Sequence, residues 1–238
     1  MDANKVYKWL ENSGRWWWPP YCQLCGATPP AADALCAACA AELPFNIHAC
    51  RVCALPLERP GICGRCQRRP PPFHRTLAAF RYQQPIAQMV HGLKFGQRLY
   101  FGRILGEYLA DCIEAGGAPL PDLVIPVPLH RRRLAERGYN QAAELARPLA
   151  RRLHIELALN VVERRWATAE QSTLNALQRR RNVKDAFTVT TALAGCRVAI
   201  VDDVMTTGAT VTELARSLVS AGAACIEVWL CARAPLVR

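Results

Sequence analysis

The sequence lacks the features of a membrane-spanning or exported protein. Its 238 residues contain no run of about 18 apolar residues, the length that a helix needs to cross a bilayer. Polar side chains interrupt the first ten residues, and no A-x-A cleavage site follows them, so the sequence predicts no signal peptide. We therefore expect a cytoplasmic protein, in which thiols stay reduced.

Acidic residues are scarce compared with basic ones. The chain has 30 lysines and arginines against 19 aspartates and glutamates, which gives a formal net charge of +11. Residues 128–187 alone hold thirteen basic and six acidic residues, and the arginines fall in short runs. Such runs are typical of solvated helix faces, but a local arginine-rich field also suits a polyphosphate ligand or a nucleic acid. Both interpretations remain open.

Cysteine, in contrast, is abundant and regularly spaced. Eight of the twelve cysteines form four C-x-x-C pairs: Cys22, Cys25, Cys36, Cys39, Cys50, Cys53, Cys63 and Cys66. One pair supplies two thiolates from a single turn, and two pairs complete a tetrahedral shell of four sulfurs, so we predict two closed, structural zinc sites. Disulfides are the alternative, which a reducing compartment disfavours. The spacing permits a sequential or an interleaved grouping of the pairs, and we favour the sequential one.

A second motif lies in residues 198–211, which read VAIVDDVMTTGATV. Four apolar residues predict a buried strand that ends at Asp202 and Asp203, and a helical pattern follows the loop. The loop consists of Thr206, Thr207, Gly208, Ala209 and Thr210. Its backbone N–H groups and the helix N-terminus can hold a phosphate, and the two carboxylates can accept hydrogen bonds from sugar hydroxyls, directly or through Mg²⁺. The alternative is an ordinary buried strand that leads into a capped helix.

The rest of the chain alternates between strand and helix patterns. Strand patterns cover 76–82, 122–127, 155–162, 197–201 and 225–231, and helical patterns cover 86–95, 98–115, 138–153 and 209–221. This alternation predicts an α/β fold with a parallel sheet and crossover helices. The phosphate loop would then lie at the carboxyl end of a strand, where such sheets bind ligands.

We divide the chain into three parts. An aromatic segment at 1–20 contains Trp16, Trp17 and Trp18, a double zinc ribbon follows at 21–70, and the α/β domain covers 76–238. The tryptophans are expected to pack on the zinc region, although a membrane interface or a partner would also suit them.

Two further segments are candidates for ligand contacts. The strand at 122–127 leads into a basic stretch with Arg133 and Arg137, which suits a second phosphate site or is a basic surface turn. Residues 166–187 are long for a loop and predict a lid, with a plain connector as the alternative. The polar contacts expected in this lid are Gln171, Arg179, Arg181 and Asn182.

The 198–211 motif resembles the PRPP-binding signature of type I phosphoribosyltransferases, and nearly the whole chain resembles the ComF/GntX family. The wider resemblance rests on the paired C-x-x-C knuckles, PPPF at 70–73, HGLKF at 91–95, PVPL at 126–129, RGYNQ at 137–141 and the 171–187 segment. It implies a type I phosphoribosyltransferase-like parallel sheet with flanking helices, plus a small N-terminal zinc-ribbon domain. It also implies a link to DNA uptake, in natural competence or in the use of external DNA.

Two functions remain open on this basis. As an enzyme, the protein would bind Mg²⁺·PRPP and displace pyrophosphate with a nitrogen nucleophile. Asp202 and Asp203 would hold the ribose hydroxyls, the 206–210 loop the 5′-phosphate, and Arg133 and Arg137 the pyrophosphate. As a binding protein, it would hold single-stranded DNA with its zinc ribbons and arginines, and the PRPP site would be a sensor or a relic. The DNA-uptake machinery at the inner membrane is a further candidate partner, and the sequence carries no signature of an acceptor substrate.

Overall fold

The computed structural model of the chain describes residues 21–28, 34–166 and 183–235. It divides into two compact units, Met1–Leu43 and Pro44–Arg238. The smaller unit contains helix α1 (Ala37–Ala41), which begins directly after Cys36. The larger unit contains all the other helices and strands given below.

Some predictions fall outside the described residues. These are the aromatic segment at 1–20 and the lid residues Gln171, Arg179, Arg181 and Asn182. The bounds given above for the zinc ribbon and the α/β domain remain predictions.

The larger unit is built around a five-stranded sheet in which all neighbouring strands run parallel. Its strands are β1 (Arg75–Arg81), β2 (Leu123–Pro126), β3 (Glu156–Leu157), β6 (Arg197–Met205) and β7 (Cys225–Arg233), in the order β1-β7-β6-β2-β3. Two short strands, β4 (Val162–Arg164) and β5 (Phe187–Val189), form a separate antiparallel pair. The predicted α/β fold with a parallel sheet is confirmed.

The larger unit contains helices that, except for the first, lie between strands of the parallel sheet. They are α2 (Gly64–Arg68), α3 (Ile86–Phe95), α4 (Tyr100–Ala115), α5 (Arg131–Arg137), α6 (Gln141–Arg152) and α7 (Ala209–Ser220). The predictions for α3, α4 and α7 are confirmed to within two residues. None of the helices in the described ranges combines the length and apolar character required to span a bilayer.

Strand β6 is the centre of the sheet. Val198 and the three residues after it are fully buried. Because successive strand residues point to opposite faces, this burial requires packing on both faces of the strand. The prediction of a buried strand from this apolar run is confirmed, because β6 is covered on both faces of the sheet.

The predicted start of the helix at 138–153 is wrong. Two helices occupy this part of the chain, and Gly138 lies between them with φ at +84°, where it ends α5 in a left-handed conformation. Asn140 then caps α6, because its side-chain oxygen accepts a hydrogen bond of 3.0 Å from the backbone N–H of Ala142. The basic stretch at 131–137 is thus a short helix rather than a turn.

Two strand predictions also need correction. Residues 155–162 do not form one strand: β3 pairs with β2, whereas β4 begins at Val162 and pairs with β5. Strand β6 does not end at Asp202 but continues to Met205, because β7 extends alongside it as far as Arg233. Both carboxylates of the motif therefore belong to residues near the end of β6. Because they are adjacent in the strand, their side chains point to opposite faces of the sheet.

Helices α4 and α6 pack closely through glycine. A Cβ atom on Gly106 would lie 2.5 Å from the carbonyl oxygen of Leu145 and 2.6 Å from Cγ of Pro148. Neither of these atoms is the end of a flexible side chain, so no methyl group fits there. This contact holds α6 against α4, and α6 in turn packs on β2 and β6.

We predict that Gly106→Ala lowers the free energy of unfolding by about 1–3 kcal/mol, the usual cost of overpacking a filled contact. Urea unfolding followed by circular dichroism measures it. Gly61→Ala is the matched control, because a Cβ atom there meets no other atom within 4 Å. Equal stability of the two variants would contradict the close helix contact.

Candidate functional site

The eight paired cysteines form two separate clusters. Cys22, Cys25, Cys36 and Cys39 make the first, and Cys50, Cys53, Cys63 and Cys66 make the second, with the four sulfurs of each cluster within 4.8 Å of one another. The structure therefore confirms the sequential grouping. In each cluster one sulfur pair is 3.7 Å apart, which matches the separation of about 3.8 Å expected for ligands at 2.3 Å from a tetrahedral zinc ion.

The second cluster is buried, and its thiols differ: burial raises the pKa of Cys53 and Cys66, whereas backbone donors lower that of Cys50. All four of its cysteines are buried. The backbone N–H of Cys63 donates to the sulfur of Cys50 at 3.3 Å. Burial raises the pKa of Cys50, but this and other backbone N–H donors lower it overall to about 7. Closed, four-sulfur sites of this kind are structural rather than catalytic.

The 206–210 loop connects the carboxyl end of β6 to the N-terminus of α7. Gly208 has φ at +80°, a conformation that glycine adopts without a steric penalty. A Cβ atom on it would lie 3.0 Å from the sulfur of Met205, so the backbone passes close over the end of the strand. The side-chain oxygen of Thr207 accepts a hydrogen bond of 3.4 Å from the N–H of Ala209.

The loop encloses a small cleft that only one of the two acids lines. Its lining consists of Asp202 and residues 204–211, including Thr206, Thr207, Gly208, Ala209 and Thr210. Burial and the neighbouring Asp203 carboxylate raise the pKa of Asp202 to about 7. Asp202 therefore faces the loop as a carboxyl that is partly protonated near neutral pH.

Asp203 is engaged on the other side of the strand. The residue is 3 % exposed, and its carboxylate forms an ion pair of 2.8 Å with Nζ of Lys94, the next-to-last residue of α3. Burial alone would lower the pKa of Lys94, but the Asp203 carboxylate raises it overall. The structure thus separates the two acids, which the motif alone suggested would act on the same sugar. Lys94 was part of the HGLKF motif, but its role was not predicted.

A basic cavity of about 210 Å³ lies beside this ion pair. It is lined by Lys94, Phe95, Gln97, Arg133, Glu136, Arg137 and Tyr139. The two arginines predicted to contact a second phosphate are therefore brought together, and a lysine joins them. Because the carboxyl ends of parallel strands meet at one edge of a sheet, the segments after β1 and β2 both contribute to this cavity.

The RGYNQ motif positions the cavity. The guanidinium of Arg137 lies 5.4 Å from the centre of the Phe95 ring, and the hydroxyl of Tyr139 donates to the carbonyl of Leu93. The side-chain nitrogen of Asn140 donates to the carbonyl of Val127 at 3.0 Å. These contacts tie the turn between α5 and α6 to the end of α3 and to the residue after β2.

Two arginines that the sequence did not single out contact the backbone at the end of β6 and in the 206–210 loop. Arg233, the last residue of β7, is fully buried and donates to the carbonyls of Met205 at 2.8 Å and Thr206 at 2.7 Å. Arg65 of α2 donates to the carbonyl of Thr207 at 3.1 Å. Both act across long sequence separations, so no local pattern could have revealed them.

Known proteins similar to this chain agree with both parts of the arrangement. A family model described as a double zinc ribbon domain matches residues 14–67, and one described as a phosphoribosyl transferase domain matches residues 139–235. The DNA utilization protein YhgH of Salmonella typhi is 38% identical over 222 residues, which cover 90% of this chain and 97% of that protein. The chain belongs to the ComF/GntX family.

Two more distant relatives extend the family relationship. Competence protein F of Haemophilus influenzae is 34% identical over 86% of this chain and 92% of its own length. Competence protein ComFC of Bacillus subtilis is 25% identical over 81% of this chain and 80% of its own length. The predicted type I phosphoribosyltransferase-like fold with an N-terminal zinc ribbon is thereby confirmed, and the two cysteine clusters are zinc-ribbon sites.

We predict two zinc ions per purified chain, because each cluster offers four thiolates in tetrahedral reach. Cys22→Ser should lower the zinc content and destabilise the first ribbon, since metal binding at such sites contributes folding energy. Inductively coupled plasma mass spectrometry gives the stoichiometry. Cys112→Ser, which lies outside both clusters, should retain both ions. A stoichiometry near one zinc ion per wild-type chain would refute the prediction that both clusters bind zinc.

Proposed function

We propose that the larger unit binds Mg²⁺·PRPP or a closely related phosphosugar. The observation that carries the proposal is the cleft formed by Asp202 and the 206–210 loop at the carboxyl end of the central strand. A glycine loop at a helix N-terminus supplies N–H donors for a phosphate, and a carboxylate beside it can accept hydrogen bonds from ribose hydroxyls. Both groups line the same cleft, so one sugar phosphate can contact them together.

The residues have distinct proposed roles. Thr206, Thr207 and Thr210 add hydroxyl donors to the backbone N–H groups around the 5′-phosphate. Asp202 holds ribose hydroxyls. Asp203 acts through Lys94, because their ion pair orients the ammonium group beside the basic cavity.

The basic cavity suits the pyrophosphate end of the ligand. Lys94, Arg133 and Arg137 line it, so three cationic side chains face one volume. Arginine is well suited to phosphate because its planar guanidinium donates in parallel to two oxygens. Mg²⁺, when bound, would supply further positive charge to the pyrophosphate oxygens.

We also propose that the site transfers the phosphoribosyl group. In that reaction a nitrogen nucleophile forms a bond to the anomeric carbon while the bond from that carbon to pyrophosphate oxygen breaks, and the bonding pair leaves with pyrophosphate. The cavity cations stabilise the charge that develops on the leaving group. A screen of nucleobases and small amines for PRPP-dependent pyrophosphate release tests this step and identifies the acceptor.

The biological setting follows from the relatives. The Salmonella typhi protein is named for DNA utilization and the Haemophilus influenzae and Bacillus subtilis proteins for competence. We propose that this chain serves the uptake or the use of external DNA, with its phosphosugar site as a catalyst or sensor in that process.

We predict that Asp202→Asn weakens Mg²⁺·PRPP binding by about ten- to a hundredfold, the effect of losing hydrogen bonds to a charged group. Isothermal titration calorimetry measures the affinity. Asp122→Asn is the matched control. Asp122 precedes β2, and its carboxylate accepts a hydrogen bond of 2.8 Å from the N–H of Arg197, the first residue of β6, at the end of the strand away from the cleft. Unchanged affinity in Asp202→Asn, with wild-type binding present, would exclude this cleft as the site.

Single-stranded DNA binding is a second candidate function. The exposed side chains of Arg131 and Arg132 on α5 lie in the arginine-rich part of the chain and leave the phosphosugar cleft unobstructed. Zinc ribbons carry little net charge once their thiolates are counted, so the arginines are the better candidates for phosphate contacts. DNA binding of this kind is compatible with the phosphosugar proposal.

We predict weak binding of a fluorescent oligo(dT) with a steep salt dependence. Each phosphate contact contributes about −0.7 to the slope of log affinity against log salt. Replacement of Arg131 and Arg132 by alanine should flatten the slope by about 1.4 if both reach phosphates. Arg216→Ala, an exposed arginine on α7, is the control. Binding that depends on zinc but not on Arg131 and Arg132 would assign the DNA contact to the ribbons.

A further inference from the structure

The second cysteine cluster and the phosphate loop are in direct contact through two arginines. Arg233 donates through Nε to the carbonyl of Cys53 at 2.9 Å and through Nη1 to the carbonyls of Met205 and Thr206. One guanidinium group therefore joins a metal-ligand residue to the first residues of the loop. All these residues belong to the larger compact unit.

Arg65 makes a second, independent connection. It lies between Cys63 and Cys66 in the sequence, at the start of α2. Its Nη1 donates to the carbonyl of Thr207 at 3.1 Å, and its Nη2 lies 4.0 Å from the position that a Cβ atom on Gly208 would take. The segment between Cys63 and Cys66 thus contacts the loop at Thr207 and Gly208, directly before α7.

The burial of Arg233 makes this contact dependent on charge. The side chain is fully buried, and among the residues that the structure describes no carboxylate forms an ion pair with it. A buried cation without an anion nearby is costly. Four thiolates around Zn²⁺ carry a net charge of about −2, and Cys53 is one of them. The occupied cluster therefore supplies the negative charge that a guanidinium in this position needs.

We propose that the Cys50/Cys53/Cys63/Cys66 cluster controls the phosphosugar site, with Arg233 and Arg65 as positioning residues that hold the loop in its binding conformation. This inference rests on the proposed function for the identity of the ligand, but not for the contacts themselves. Loss of zinc removes the bonds that fix Cys53 and the Cys63–Cys66 turn, so Arg233 and Arg65 no longer hold the carbonyls of Met205, Thr206 and Thr207 in place.

The coupling must act in both directions. If zinc at this cluster strengthens phosphosugar binding, bound phosphosugar must strengthen zinc binding by the same factor. A chemical change at the thiols, such as oxidation or metal loss, would then switch off ligand binding at a cleft that none of the cysteines lines.

The first test compares two arginines of the same short helix. Arg65→Ala should weaken Mg²⁺·PRPP binding by about tenfold, the effect of one lost hydrogen bond from a charged donor. Arg68→Ala removes an exposed arginine three residues further along α2, and it should leave the affinity unchanged. Calorimetry gives both values, and native mass spectrometry verifies that both variants retain their zinc. Equal affinities of the two variants would refute the role of Arg65.

A second test measures the cysteines themselves. A chelator and an alkylating reagent are added with and without Mg²⁺·PRPP, and mass spectrometry follows the labelling of each cysteine. The ligand should slow the labelling of Cys53 and Cys63 by about tenfold in the wild type, and this protection should shrink in Arg65→Ala but persist in Arg68→Ala. Protection that is the same in both variants would overturn the coupling through Arg65.

A third measurement separates this inference from the proposed function. Hydrogen exchange at the amides of residues 206–209 is compared before and after zinc removal, without any ligand. Faster exchange in the loop, with unchanged exchange in α4, supports the coupling even if the wild type fails to bind PRPP, a result that would refute only the proposed ligand. Unchanged loop exchange after the second cluster has lost its zinc would overturn the inference. Arg233→Lys, which keeps the charge but cannot span the same carbonyls, should raise loop exchange with zinc still bound.

Discussion

Parallel pairing of β6 with β2 on one side and β7 on the other is the constraint on which the candidate site depends. It brings the ends of three strands to one edge of the sheet. The loop after β6, the helix after β2 and the last residue of β7 then become neighbours, although they are far apart in the sequence. Lys94 of α3 is tied to β6 by its ion pair with Asp203.

The same pairing explains why one strand serves two purposes. Residues of a strand alternate between its faces, so adjacent acids are directed to different surroundings. Asp202 meets the loop, whereas Asp203 meets Lys94 of α3. One acid is left available for a ligand, and the other orients a cation at the neighbouring cavity. The two acids therefore differ in their surroundings and in their expected roles, although they are adjacent in the sequence.

Much of the fold and part of the site could be predicted from the sequence. The C-x-x-C pairs, the apolar run of β6 and the glycine loop could be recognised because each is formed by residues that are close together in the sequence. The helix was predicted to begin at Gly138 because this glycine directly precedes a stretch with helical spacing of apolar residues. Its left-handed conformation belongs to the turn between two helices, which that spacing does not reveal. Lys94 and Arg233 could not be assigned, because their partners, Asp203 and the carbonyls of the loop, are brought near only by the folded sheet. Arg233 in particular looks like an ordinary charged residue at the end of a strand.

The ion pair between Lys94 and Asp203 has a consequence for how this sequence can vary. Loss of either partner leaves the other as a charge in a largely buried setting, and such single losses are strongly destabilising. Replacement of both by apolar residues of similar size is far better tolerated. The two positions should therefore covary among related chains, with a neutral residue at one accompanied by a neutral residue at the other. Chains that have lost both would keep the fold and the loop, but their basic cavity would have one cation fewer.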